Sequence, residues 1–231
     1  MLKINKYSLI KNAAVLGVAT LSLSLIATSS SFSDGHIYGE KNPVTVKGYK
    51  GSKTDSTAYT GQIARQLQHN SLKKIVSKGN PNDPSSNTLN KMMNYFENKD
   101  KAKTMAILDP KSSSKFPVKQ KIVGEISTGS NLAGKADERP QLSWPNNMSG
   151  ADVIRFMIKK ASKISGGVDM RNGMNYPQLI SKYTMGAVLY HQACDNYLDE
   201  KMTASNKPND KPYKKGAYYT GKEHSWDEAF G

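Results

Sequence analysis

A chain of 231 residues with one cysteine, Cys194, has no partner for an intramolecular disulfide and no thiolate set for a cysteine-based zinc cluster. Its formal charge of +14 comes from scattered lysines, with Arg scarce and no basic stripe interleaved with aromatics. This argues against a nucleic-acid interface and leaves a solvated Lys-rich surface or an anionic partner.

The N-terminal residues read as an export signal. Lys3, Lys6 and Lys11 form a basic start with no acid before Asp34, and Ala13 to Ala27 supplies an apolar stretch of signal-peptide length. That stretch is too short and too rich in Ser and Thr for a membrane span. Small residues follow, with Ala27-Thr28-Ser29 or Ser31-Phe32-Ser33 as cleavage sites. Residues 1–33 are thus assigned to signal and cleavage region, and 34–231 to a mature domain with no membrane span and a charge reduced to +11 by loss of those three lysines. About 200 residues are enough to bury one ordinary core without disulfide staples. The expected location is the periplasm or the cell exterior.

Residues 34–57 read as an extended arm, with Val44 and Val46 as positions for a short strand. Ile63, Leu67, Leu72, Ile75 and Val76 predict a first helix from about Tyr59 to Ser77, stopped by Gly79-Asn80-Pro81. Leu89, Met92, Met93 and Phe96 mark a second helix. Met105 to Leu108 suggests a short third one ending at Asp109-Pro110. Residues 110–148, punctuated by Gly and Pro, read as a long irregular connection with strand pairing near Ile122-Val123.

Ser149 with Asp152 three residues on predicts a capped helix start. Val153, Ile154, Met157, Ile158 and Ala161 give that helix its apolar face, and Gly166-Gly167 ends it. Pro177 suits a first helical position. Leu179, Ile180, Tyr183, Ala187, Tyr190, Cys194, Tyr197 and Leu198 then keep helical spacing to about Lys201. After a polar loop over 204–221, Ser225-Trp226-Asp227-Glu228 forms another capping-box pattern and predicts a helix beginning at Trp226, with Trp226 and Phe230 as core anchors. The sum is a mostly α, bundle-like domain with a long irregular central loop and room for a short β-hairpin.

Two pairs carry the candidate chemistry. His224 and Glu228 are four residues apart, as are His191 and Asp195, so each pair shares a helix face. If the helices met, two imidazoles and two carboxylates would suit zinc or iron without any thiolate. Simple helix capping explains Asp227 and Glu228 equally well. Arg65 and His69 read as an exposed polar face, with phosphate or carboxylate binding as the alternative. There is no Gly-x-Ser-x-Gly, His-Glu-x-x-His or phosphate-cradling loop.

The run Tyr59-Thr60-Gly61-Gln62-Ile63-Ala64-Arg65-Gln66-Leu67, with Asn70-Ser71-Leu72-Lys73, resembles the opening helix of an uncharacterised family of bacterial envelope proteins. Gly186-Ala187, Tyr190, Gln192 and Tyr197-Leu198 match further positions of that family. Its most specific signature stands here as Glu223-His224-Ser225-Trp226-Asp227-Glu228-Ala229-Phe230-Gly231. The resemblance implies an exported helical domain of unknown activity, and a chain that continues beyond Gly231. Imelysin-like envelope proteins are also exported and helical, but their Gly-x-His-x-x-Glu motif is missing here, so that likeness is one of architecture. The function expected from these readings is an exported binding protein for a metal ion or an anionic envelope polysaccharide. A hydrolase using His224 and Glu228 as acid and base is the alternative, and an interaction module without a small ligand is another.

Overall fold

The computed structural model describes residues 43–83, 86–98, 103–108, 119–129, 131–141 and 144–231. The signal-like segment, Asp109-Pro110 and Pro117 lie outside the described residues. The fold is mostly α. Helix α1 (Thr60–Val76) lies at its centre, packed against α2 (Asn87–Glu97) and α4 (Tyr176–Thr184), while α3 (Gly150–Ser162) packs on α4 and α2.

The central position of α1 explains its burial. Ala64, Leu67, Leu72 and Val76 are buried as an apolar stripe should be, but so are Gln62, Arg65, Gln68, His69 and Ser71. A helix covered on several sides must bury polar groups, and these need partners inside the protein. His69 Nε2 lies 2.9 Å from the Ser181 carbonyl, and the Ser71 hydroxyl donates to the Leu67 carbonyl while accepting from the Leu108 amide. The expected exposure of Arg65 and His69 is therefore corrected, and Ile63 moves the other way to a partly exposed rim.

The main core gathers Leu72, Met92, Phe96, Leu132, Ile154, Ile158, Ile180 and Val188 from α1 to α4 and the loops. Gly79 lets the chain leave α1 against the end of α3, because a Cβ there would stand 2.1 Å from the carbonyls of Ala161 and Ile164. The expected cap of α3 is present, with Ser149 and Asp152 bonding each other's backbone amides. Between α3 and α4, β1 (Val168–Asp169) and β2 (Met174–Asn175) form a two-stranded antiparallel hairpin.

The expected helix over 105–108 is not formed. Ala106 instead makes an antiparallel bridge to Ile122, so the anticipated pairing near Ile122 uses the segment read as helical. Two backbone bonds, Ile107 N to Lys121 O and Val123 N to Met105 O, outweigh the local helical propensity of four residues, too few to nucleate a stable helix. The described part of the central connection is irregular, with short turns at Val123–Glu125, Ala133–Lys135 and Pro145–Asn147, yet it sends Val123, Leu132 and Ala136 into the interior.

Beyond α4 the coil continues but widens, over Met185–Tyr190 and Gln192–Lys201, to bonds between residues five apart, such as His191 N to Gly186 O and Met202 N to Tyr197 O. Such wide turns are uncommon and concentrate at functional sites. They change which residues face inward. Val188, Gln192 and Tyr197 are buried, whereas Tyr190, expected on the inner stripe, is exposed and Cys194 is half-buried; Leu179, also expected there, is exposed within α4 itself, before the coil widens.

Candidate functional site

The last helix, α5 (Gly221–Phe230), packs on the widened coil and presents the most distinctive motif. It starts five residues earlier than the motif suggests. Thr220 is the cap: its hydroxyl accepts from the Glu223 amide at 3.2 Å, and the Glu223 carboxylate accepts from the Thr220 amide at 2.6 Å. Ser225 is therefore not a cap. It lies inside the helix and donates to the Gly221 carbonyl at 3.0 Å. The earlier start also sets the faces, since residues four apart share one side. Gly221 and Ser225 turn inward, while Trp226 and Phe230 stack on each other at 4.4 Å and stay 45% and 60% exposed. The expectation that these two rings anchor the core is overturned.

His224 is held between aromatic rings. Tyr213 and Tyr219 each sit 4.8 Å away, Tyr219 nearly parallel to the imidazole. Burial pushes the imidazole pKa down, partly offset by the nearby Glu228 and Asp227 carboxylates, which favours the uncharged ring. Its Nδ1 is buried without a hydrogen-bond partner, and its Nε2 is 3.8 Å from Glu228 Oε2. Glu228 also accepts from the Gln62 amide at 3.4 Å and lies 3.8 Å from Lys201 Nζ. Gln62 in turn donates to the Tyr197 hydroxyl at 3.4 Å, and Lys201 lies over the Tyr197 ring at 4.3 Å.

The arm before α1 is fastened to this helix. Asp227 accepts from the Ala58 amide at 2.8 Å, Thr45 donates to Glu223 at 2.7 Å, and the Tyr218 hydroxyl donates to the Thr57 carbonyl at 3.4 Å. Between arm and helix opens a cleft of about 530 Å³, walled by Asp55, Gln62, Tyr218, Tyr219, His224 and Glu228.

The family model described as Domain of unknown function (DUF4856) matches residues 39–231, a segment that includes every cleft residue. The chain belongs to that family. No curated protein and no solved structure matches it.

In this DUF4856 domain the second expected pair has a different setting. His191 Nδ1 meets Asp195 Oδ2 at 3.0 Å, but the same oxygen accepts from Arg139, whose guanidinium also grips Asp137 at 2.8 and 2.9 Å. Hydrogen bonds from His191 and Arg139 hold the Asp195 carboxyl below its usual range. A cation already claims the carboxylate. Among the described residues no three His, Cys, Asp or Glu side chains gather into a group able to hold a metal ion, so His191 with Asp195 and His224 with Glu228 stand as two separate pairs.

A second concavity, a groove of about 940 Å³, runs between α1 and the start of the widened coil. The cleft residues that single-residue reasoning did not select include Asp55, Gln62, Tyr218 and Tyr219. Gln62 stands within the family-like motifs, which was the available signal. Tyr218 and Tyr219 sit in the polar stretch before Thr220, where no periodicity marks them.

Proposed function

We propose that the protein is an exported envelope binding protein whose cleft at His224 and Glu228 takes a polyhydroxylated ligand, a neutral oligosaccharide. One observation carries the reading: an imidazole, two carboxylates and three tyrosines line one open cleft. Carboxylates accept hydrogen bonds from sugar hydroxyls, a neutral imidazole both donates and accepts, and tyrosine rings cover the apolar face of a sugar while keeping a polar edge. Two carboxylates in the cleft disfavour an anionic ligand there. A pocket of this size with a few convergent polar groups is the usual form of a small-ligand site.

Calorimetric titration with chitotriose and maltotriose tests this. The account expects saturable heat with at least one of them, weakened in Glu228→Gln and His224→Ala. Silence with both sugars, or undiminished heat in both variants, overturns it. Cleavage of either sugar that depends on His224 would replace binding by hydrolysis.

A further inference from the structure

Lysines scattered along the sequence gather around a row of tyrosines in the fold. Tyr49 of the arm lies 6.2 Å from Tyr218, Tyr218 lies 4.9 Å from Tyr219, and Tyr219 lies 5.8 Å from Tyr213. Lys53 sits 5.8 Å from the Tyr218 ring and Lys207 5.1 Å from the Tyr213 ring. The two contributing segments are remote in the chain and are joined by the bond from the Tyr218 hydroxyl to the Thr57 carbonyl. Lys47 and Lys50, on either side of Tyr49, are exposed, as are Lys211, Lys214 and Lys215 around Tyr213. Over residues 43–57 and 204–221 the chain thus carries seven lysines against two acids, Asp55 and Asp210. Asp55 is engaged by the amide and hydroxyl of Thr57, and Glu223, the next acid along, by Thr45 and the Thr220 amide. Among the described residues no carboxylate forms an ion pair with any of these seven lysines.

We propose that this lysine–tyrosine surface is an interaction site for an acidic polysaccharide. Scattered unpaired lysines alone describe a solvated surface. Here they converge from two segments onto one row of rings, which supplies amphipathic contact for sugar units while the ammonium groups meet the acid groups between them. A single-stranded nucleic acid fits this surface less well. Its successive bases stack on ring platforms with help from arginine. Neither segment contains an arginine, and rings inclined by 56° (Tyr49 to Tyr218) and 86° (Tyr218 to Tyr219) offer no common platform. Tyr218 and Tyr219 also border the cleft, but none of the seven lysines lines it, so this site does not depend on the cleft reading.

Interferometry of the full chain on immobilised polygalacturonate, with neutral dextran alongside, tests the proposal. Binding to polygalacturonate that weakens as salt rises, and none to dextran, is expected. The double variant Lys53→Glu with Lys207→Glu should bind about tenfold more weakly, since two surface contacts turn from attraction to repulsion. Lys159→Glu with Lys163→Glu, exposed at the end of α3, changes the net charge equally and should weaken binding by less than about threefold. Glu228→Gln should leave polygalacturonate binding intact, so failure of the cleft reading and failure of this one are told apart. No binding to polygalacturonate, equal binding to dextran, or equal losses in the two double variants overturns the proposal. So does oligothymidylate binding that is tighter than polygalacturonate binding and lost with Lys53 and Lys207.

Discussion

Replacing Thr220 by alanine should destabilise the protein by about 1–2 kcal/mol, the usual cost of losing a helix cap. Thr220 is 1% exposed, its hydroxyl satisfies the Glu223 amide, and it also bonds Asn209 at 2.6 Å. Alanine leaves that amide at the first turn without its acceptor, while the reciprocal bond from Glu223 to the Thr220 backbone survives. Ser225→Ala is the matched comparison. The Gly221 carbonyl it bonds already takes part in the helix, and alanine gains helix propensity, so the change should stay within about 0.5 kcal/mol of zero. Urea denaturation of both variants measures the difference. At a slope of roughly 1–3 kcal/mol per molar for urea, Thr220→Ala should lower the midpoint visibly with an unchanged slope, and Ser225→Ala should not. Equal shifts, or a larger shift for Ser225→Ala, would refute the assignment of Thr220 as the start of α5 and with it the placement of His224.

Three further outcomes follow from the same structure. Phe96→Ala removes a side chain with no exposed area from the main core and should cost about 3–5 kcal/mol, read from the denaturation midpoint; a cost under 1 would contradict its placement. Asp137 is held near a pKa of about 2 by hydrogen bonds from Arg139, so it contributes stability above its ordinary pKa of 3.8 that is lost as pH falls through about 2; exposure of Arg139 limits this to less than about 2 kcal/mol, and Asp137→Asn should flatten acid denaturation in that window. Burial lowers the pKa of His69 and His224 below 6.5, so below that pH the unfolded chain takes up protons first and stability falls with acidification; a midpoint unchanged from about pH 7.5 to 5 would contradict their burial.

Much of the helical frame was legible because apolar spacing and capping follow directly from helix geometry. Ser149 and Asp152 fixed the start of α3, and Leu72, Met92 and Ile158 named their core faces. The failure at α5 came from a local pattern with two solutions. Thr220-Gly221-Lys222-Glu223 and Ser225-Trp226-Asp227-Glu228 both fit a capping box, and the first is the one whose side chains bond the backbone at the helix start. Choosing the second reversed the faces of Trp226 and Phe230. The widened coil beyond α4 defeated a 3.6-residue template, which placed Tyr190 inside and overlooked Gln192. Arg65 and His69 look like a solvated face until α1 is seen to lie at the centre, a tertiary fact absent from any window of sequence. The pair of His224 and Glu228 was legible as a pair. Its cleft was not, because Asp55, Gln62 and Tyr219 are remote in sequence and meet only through the arm fastened to α5.

The most direct measurement is the imidazole signal of His224 followed by NMR as chitotriose and maltotriose are added to the full chain. The account predicts that one of these sugars shifts the His224 ring resonances and those of Tyr219 together, saturably, with the shifts lost in Glu228→Gln. Sugar-induced shifts confined to residues away from the cleft, or no shift at His224 with either sugar, would contradict it.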